Sequence, residues 1–278
     1  MNSLTSSPLE PARLEAYLKR IGVAFQHEAK RQPSVALLRQ LHRAHMKSIP
    51  FENFRLYEGQ PFQLNPVAFL QQALNGEGGL CFEVNPLFKS ALEALSFQVS
   101  YLSTSFWNES AQTWNPEHSH AALKVDVEGQ SWLCDVGTGG VFTYPLPLRL
   151  SKPILDPHGH FRFLPLSNES ADPATWCLQK QPLSGNPEDE QQWQPEMKVH
   201  LEPVSFDVFL PMCRYYEQEP NTRFKQNKLI SKVTETGKIS LSLHTFTRTD
   251  QGHKTKIPLS SLEEWQSYLD TYFGTSSR

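Results

Sequence analysis

The sequence predicts a loop-rich α+β protein. Apolar residues recur at helical spacing through the first third of the 278-residue chain, and from about residue 97 they alternate with a period of two. Proline accounts for 21 residues, well above the average usage of about one in twenty, which indicates many irregular connections. With 38% hydrophobic residues the chain can fill a core, and its length fits one elaborated domain or two to three small ones.

Four helices are predicted in the first third of the chain. The first ends at Gly22, and the second begins after Ser34, a residue type that caps helix N-termini. An Asn-Pro pair at 65–66 starts the third, because proline is favoured in the first turn of a helix. The fourth begins around Cys81, directly after a glycine-rich loop at 75–80 that tolerates unusual backbone angles.

Strands are predicted in the rest of the chain. Apolar and polar residues alternate along 122–127, Glu128-Gly129-Gln130 turns the chain, and apolar residues resume at 132–136, which is typical of a β-hairpin. A helix at 260–273, followed by Gly274, closes the chain. Further strands are predicted at 161–166, 175–180, 197–204, 229–234 and 239–247.

Charge and composition exclude several classes of partner. The 26 Lys and Arg against 29 Asp and Glu give a formal charge of -3, without the basic excess of nucleic-acid-binding proteins. No stretch approaches the roughly 20 apolar residues of a membrane span, and the first thirty residues do not resemble a signal peptide. We therefore expect a cytoplasmic protein with neither a nucleic-acid nor a membrane partner. The sequence leaves the oligomeric state open.

Metal and disulfide frameworks are not expected. The four cysteines lie far apart with no C-x-x-C pair, unlike a disulfide scaffold or a zinc ribbon. Histidines at 118 and 120, and at 158 and 160, have no carboxylate or thiolate at a recognised ligand spacing. The sequence therefore predicts reduced thiols and no metal site.

Cys81 is the candidate nucleophile. A cysteine in the first turn of a helix lies at the positive end of the helix dipole, which favours the thiolate. Gly78 and Gly79 just before it allow another backbone segment to approach closely, and the free N–H groups of the helix start can stabilise an oxyanion. The alternative is a buried structural cysteine, so the assignment depends on finding partners for the thiol.

His120 and Asp135 are the candidate partners. Antiparallel pairing about the turn at 128–129 joins residues whose numbers sum to roughly 257, which places His120 within a residue or two of Asp135 across the hairpin. A carboxylate on one imidazole nitrogen fixes the tautomer and leaves the other nitrogen for a thiol proton, as in a Cys-His-Asp triad. An ordinary polar cross-strand pair is the alternative.

These residues lie in segments that resemble a known family. The glycine-rich loop and helix start are similar to the G-G-x-C-x-x-x-N motif of the arylamine N-acetyltransferases, with GGLCFEVN at 78–85. The segment IPFEN at 49–53 resembles their I-P-F-E-N, while Ser119-His120 and the DVG at 135–137 resemble their T-H and D-V-G signatures. Weaker matches stand at 17–22, 220–224 and 268–274.

The resemblance implies a papain- or transglutaminase-like fold in three parts. An N-terminal helical bundle (1–96) would carry the cysteine, a central β-barrel (97–205) the histidine and aspartate, and an α/β lid (206–278) would close the chain. It also implies ping-pong acetyl transfer, in which acetyl-CoA acylates a cysteine and an arylamine, hydrazine or N-arylhydroxylamine takes the acetyl group. Carried onto this chain, Cys81 is the nucleophile, His120 the general base and acid, and Asp135 the residue that orients the histidine.

The resemblance also suggests binding residues. Gly137, Gly139 and Thr222 correspond to positions near CoA, and Thr138 and Phe51 to the acceptor pocket. Thr138 replaces the usual phenylalanine of D-V-G-F-G, which removes a large aromatic face from that pocket.

Two acidic residues depart from the family pattern. Glu77 stands where the family usually has arginine and would repel Glu52 if nothing compensates, and Glu117 would weaken binding of CoA phosphates. Two alternatives therefore remain: an amide synthase of the same fold that uses a carrier-bound acyl chain, and a catalytically silent homologue that only binds.

Overall fold

The computed structural model describes residues 7–24, 32–149, 152–166 and 175–274. Its helices are α1 (Pro11–Arg20), α2 (Val35–Ser48), α3 (Phe54–Tyr57), α4 (Pro66–Leu74), α5 (Cys81–Ala94), α6 (Leu210–Gln218), α7 (Arg223–Gln226) and α8 (Leu262–Phe273). Its strands are β1 (Phe51–Glu52), β2 (Gln98–Asn108), β3 (Thr113–Trp114), β4 (His120–Val127), β5 (Gln130–Cys134), β6 (Leu146–Pro147), β7 (Ile154–Asp156), β8 (Gly159–Pro165), β9 (Thr175–Gln181), β10 (Gln194–His200), β11 (Leu229–Val233), β12 (Gly237–Ser242), β13 (Thr245–Asp250) and β14 (His253–Pro258).

The predicted helix starts are confirmed by their caps. Ser34 Oγ accepts a hydrogen bond from the Leu37 N–H of α2 at 3.2 Å. Asn65 Oδ1 accepts from two N–H groups of α4, and Pro66 occupies the first turn. The last helix, α8, stops at Gly274, whose φ of 67° lies in the left-handed region that favours glycine.

Helix α5 is the centre of the N-terminal part of the fold. Its residues from Cys81 to Leu92 are all buried, so it is enclosed by its neighbours instead of lying on the surface. It packs against α1 and α4 on one side and against β2 and β4 on the other. The nucleophile candidate therefore begins a helix that its surroundings hold in place. No helix within the described ranges is long and apolar enough to cross a membrane.

A curled antiparallel sheet forms the middle of the molecule. Its strands follow the order β6-β5-β4-β2-β10-β9-β8-β7, and β3 pairs with the end of β2. The sheet is nearly closed and barrel-like around an apolar core of its own. That core includes Leu102, Phe161, Phe163, Leu178 and Met197. The α+β class and a barrel-like sheet, both expected from the sequence and the resemblance, are confirmed.

A second antiparallel sheet has the order β1-β11-β12-β13-β14 and packs against α8. The prediction of one strand at 239–247 is wrong, because the chain turns after Ser242 and returns as β13, pairing Ser242 with Thr245. The strand predicted at 197–204 also ends earlier, at His200. Beyond it, the N–H of Val204 bonds the Tyr101 carbonyl as an isolated bridge.

The three-part division at residues 96 and 205 stays a prediction about folding units. The helices α1–α5 precede β2, and the curled sheet ends with β10, as that division supposes. Strand β1, however, lies among the N-terminal helices in sequence and pairs with β11 in the second sheet. The N-terminal and C-terminal parts are thus joined by strand pairing.

Candidate active site

A cavity of about 690 Å³ lies where the helices, the curled sheet and the C-terminal part meet. Cys81 and His120 form part of its wall, together with Thr138 from the loop after β5. Glu196 from β10 lines it, and Phe224 of α7 borders it from the C-terminal part. The cavity is large enough for an aromatic ligand or part of a cofactor.

The segment at 49–53 holds the glycine-rich loop before Cys81. The Gly79 N–H bonds the Pro50 carbonyl at 3.2 Å, and the Glu52 N–H bonds the Gly79 carbonyl at 3.2 Å. A Cβ on Gly78 would lie 2.0 Å from the Pro50 oxygen, so only glycine fits there. The predicted close approach of another backbone segment is therefore confirmed.

Glu83, in the first turn of α5, stabilises the start of this helix through hydrogen bonds of its side chain. Its carboxylate accepts the Leu80 N–H at 3.0 Å and the Gln63 N–H at 2.8 Å. Burial raises the pKa of Glu83 to about 7, although these hydrogen bonds oppose the increase. Cys81 is the first residue of the helix, beside N–H groups that have no partner within the helix.

His120 and Asp135 meet across the hairpin as the register predicts. Val127 pairs with Gln130 and Leu123 with Cys134, so the numbers of paired residues sum to 257. His120 Nε2 lies 2.6 Å from Asp135 Oδ2, and both side chains are buried. Asp135 is the first residue after β5, so its backbone is no longer paired with β4. Its side chain contacts His120.

Cys81 completes the arrangement. Burial alone would lower the pKa of His120, but the charges of Asp135 and Cys81 and the hydrogen bonds of the imidazole with both side chains raise it to about 10. The contact of Nε2 with Asp135 leaves Nδ1 for the thiol. At neutral pH the site therefore favours a positively charged imidazole between a carboxylate and a cysteine sulfur.

Three further groups fix the position of Asp135. Asn85 Nδ2 and the Gly137 N–H both donate to Oδ1 at 2.9 Å. The Asp135 N–H donates to His42 Nε2 at 3.0 Å, and His42 Nδ1 bonds the Thr143 carbonyl at 2.8 Å. Burial lowers the pKa of His42 to about 4, which keeps its ring neutral and able to accept.

Sequence reasoning missed His42. Its ring is fully buried on the apolar face of α2, where Leu38 and Leu41 also point into the core. A histidine among leucines on the buried face of an amphipathic helix is the signal that points to such a role. Its partner Asp135 is 93 residues away in the chain, so the contact has no local signature.

Glu117 and Glu52, two of the carboxylates in the predicted disturbances of the site, have partners. Glu117 lies 2.6 Å from Lys198 Nζ and 2.8 Å from His200 Nε2. Although burial would raise the pKa of Glu117, these two partners lower it below its ordinary value. Glu52 accepts the Phe54 N–H at 2.5 Å and the Gly78 N–H at 3.2 Å, so backbone dipoles compensate its charge.

Four of the five suggested binding residues line the cavity, and Gly139 does not. Phe51 and Thr138 both line the cavity, as does Thr222, whose Oγ1 is buried with no hydrogen-bond partner within the described part of the chain. Gly137 lines it too, and a Cβ there would lie 2.6 Å from Cys81 Cα. Gly139 is not part of this wall and packs behind the Phe51 ring.

Comparison with known proteins identifies the family of this chain. A family model described as N-acetyltransferase matches residues 34–276. Over 248 residues the chain is 33% identical to the arylamine N-acetyltransferase / N-hydroxyarylamine O-acetyltransferase of Salmonella typhimurium, covering 87% of this chain and 83% of that relative. The chain belongs to the arylamine N-acetyltransferase family.

Solved structures of the family share the fold. The arylamine N-acetyltransferase from Salmonella typhimurium superposes with a TM-score of 0.81 at 29% identity, covering 96% of this chain and 92% of that one. An arylamine N-acetyltransferase from Bacillus cereus superposes with a TM-score of 0.80 at 21% identity, covering 96% of this chain and 100% of that one. That protein is described as having a Cys-His-Glu catalytic triad. Here the carboxylate on His120 is that of Asp135.

Proposed function

We propose that this protein transfers the acetyl group of acetyl-CoA to the nitrogen of an arylamine, hydrazine or N-arylhydroxylamine through a thioester on Cys81. The observation that carries the proposal is the contact of Cys81 with a buried, charged His120 at the wall of the cavity. The Salmonella relative is named for N-acetyl and O-acetyl transfer, which supports the transfer of an acetyl group to an arylamine. The reaction requires no metal.

The first half-reaction acylates Cys81. The thiolate attacks the thioester carbonyl of acetyl-CoA, a new C–S bond forms, and the bond to the CoA sulfur breaks. His120 gives its proton to the departing CoA thiolate. N–H groups at the start of α5 stabilise the negative oxygen of the tetrahedral intermediate, since the positive end of the helix dipole lies there.

The second half-reaction releases the acetyl group. The amine nitrogen attacks the Cys81 thioester, His120 takes the proton from that nitrogen, and the Cys81 sulfur leaves as a thiolate. Asp135 keeps the ring of His120 in one orientation throughout. We place CoA along Gly137 and Thr222, and the acceptor ring near Phe51 and Thr138.

The test is incubation with acetyl-CoA followed by intact-mass measurement. We expect one acetyl group on the parent protein and none on C81S. A thiol can ionise to a thiolate before it attacks, whereas a serine hydroxyl is too weak an acid to ionise in the same way. C134S is the matched control, since Cys134 is buried and burial raises the pKa of its thiol. It should acylate like the parent.

Other outcomes would replace the proposal. Acylation of C81S together with an unreactive C134S would contradict the nucleophile assignment. Acylation only by a carrier-bound chain would indicate an amide synthase, and no acylation from either donor would indicate a binding protein. The rate of the second half-reaction is then measured separately, by adding an arylamine to the isolated acetyl-enzyme.

A further inference from the structure

Glu196 is placed in the cavity by an irregularity of strand β10. Pro195 pairs with Gln179 and Met197 with Leu178, so Glu196 is an extra residue without a partner on β9. Such a bulge redirects a side chain and is over-represented next to active sites. Met197 is fully buried in the core of the curled sheet, whereas Glu196 is half-buried and lines the cavity.

The bulge lies close to the catalytic histidine. Met197 pairs with Phe106 of β2, and the Phe106 ring packs edge-on against the His120 ring with centroids 4.7 Å apart. Glu196 is therefore one residue from a strand pair that contacts His120. Cys81 and Glu196 line the same cavity.

The Glu196 carboxylate is available to a ligand. Within the described residues it accepts no hydrogen bond, while Lys180 and Lys238 act on it from a distance as positive charges. Burial raises the pKa of Glu196, and the two lysines oppose that increase. A half-buried carboxyl group whose oxygens have no hydrogen-bond partner in the described part of the chain can accept a hydrogen bond from a hydroxyl or amide N–H of a ligand.

From this position we infer that Glu196 is a specificity-determining residue for the acceptor, and that it selects arylamines bearing a second, neutral hydrogen-bond donor such as a ring hydroxyl. The inference rests on the proposed acetyl transfer. A neutral donor is favoured over a cationic one, because the positive charges of Lys180 and Lys238, which act on Glu196, would repel a cation bound there.

The other carboxylate at the cavity does not offer the same contact. Glu109 accepts hydrogen bonds from Trp107 Nε1 at 3.2 Å and from Gln112 Nε2 at 3.3 Å. Both of its oxygens are thus engaged by neighbours on the β2–β3 connection. Glu109 therefore provides a matched control for the effect of removing a negative charge from the cavity.

The experiment compares aminophenols with their methyl ethers, the anisidines, as acceptors. The two compounds of a pair have similar amines, and only the phenol can donate a hydrogen bond. We expect the parent to prefer the aminophenol in kcat/KM by about tenfold or more at the meta or the para position. E196L should reduce that ratio to near one, E196Q should retain part of it, and E109Q should keep the parental ratio.

Measurement of each half-reaction separates the possible failures. A parental ratio near one, or a ratio unchanged in E196Q and E196L, would overturn the inference while leaving acetyl transfer intact. Slower acetylation of Cys81 in E196Q with an unchanged acceptor ratio would assign Glu196 to the CoA side and also overturn it. If the parent acetylates none of the four amines and gains no acetyl group, the proposed function itself fails.

Discussion

Asp135 illustrates how much a single side chain must satisfy in this site. Its Oδ2 contacts His120, while its Oδ1 accepts from Asn85 and from the Gly137 N–H. Asp135 is fully buried, and these donors offset part of the cost of burying a negative charge. That charge in turn keeps the imidazole of His120 protonated, so Asp135 acts on Cys81 without touching it.

Substitution of Asp135 by asparagine tests this coupling. The amide keeps the shape but loses the charge, so we expect the pKa of His120 to fall from about 10 toward its ordinary value. Alkylation of Cys81 by iodoacetamide at pH 7 should then slow by at least about tenfold, because less thiolate is present. D126N, an exposed change on the same hairpin, should alkylate like the parent. Equal rates for D135N and the parent at neutral pH would show that Asp135 does not support the ion pair.

At this scale the sequence predicts some contacts and not others. Cys81 follows from a helix start, and the meeting of His120 with Asp135 follows from hairpin arithmetic, because both depend on local structure. The contact of His42 with Asp135 and the position of Glu196 in the cavity could not be predicted. His42 contacts Asp135 from another element, and Glu196 reaches the cavity through a bulge that no residue type announces.

Among the elements, the loop after β5 and the start of α5 pack with no space between them. Gly137 is the contact point, since a Cβ there would lie 2.6 Å from Cys81 Cα and 3.0 Å from Asn85 Nδ2. The backbone of Gly137 also donates to Asp135. One residue therefore links the nucleophile helix to the carboxylate of the site.

Alanine at Gly137 should separate these two elements. The added methyl group pushes Cys81 away from His120, so we expect acetylation of Cys81 by acetyl-CoA to slow by about a hundredfold or more. G129A is the control, because Gly129 has a φ of 74° and open space around it. It should cost about 1 kcal/mol of stability through backbone strain and leave the acylation rate unchanged. Parental acylation in G137A would show that the contact is not needed.

The elements that the sequence missed lack the usual signals. The turn between β12 and β13 consists of Leu243 and His244, without the glycine, asparagine or proline that marks most hairpin turns. Strand β14 is an edge strand whose residues are nearly all exposed, so it has no alternation to detect. The second half of β4 was predictable, because Val125 and Val127 are buried whereas Lys124 and Asp126 between and beside them are not, which gives the period of two.

For the whole molecule, buried titratable groups in separate parts of the fold determine how stability varies with pH. Burial lowers the pKa of His42 to about 4, that of His158 to about 3, and that of His45 well below its ordinary value. Between pH 6.5 and these values the unfolded chain binds protons that the folded protein does not. Each histidine therefore contributes stability that is lost as the pH falls below 6.5.

Glu83 changes stability with pH in the opposite direction to these histidines. Its pKa is raised by burial to about 7, so the folded protein holds a proton there that the unfolded chain releases above about pH 4.5. Lowering the pH from 6.5 to 5 relieves this penalty and adds stability. The raised pKa values of Glu196 and His120 act in the same direction as that of Glu83. The three histidines with lowered pKa values outweigh these groups, because each of the three changes stability by about 1.5 kcal/mol over this interval.

We therefore expect the free energy of unfolding to fall by about 2 kcal/mol from pH 6.5 to pH 5, measured by urea denaturation. H158Q should flatten this dependence, since glutamine does not titrate and can keep the contact with Thr143 Oγ1. E83Q should make it steeper, because the opposing contribution is gone. A parent whose stability is constant or rises over this interval would contradict the prediction, as would variants that shift the slope in the same direction.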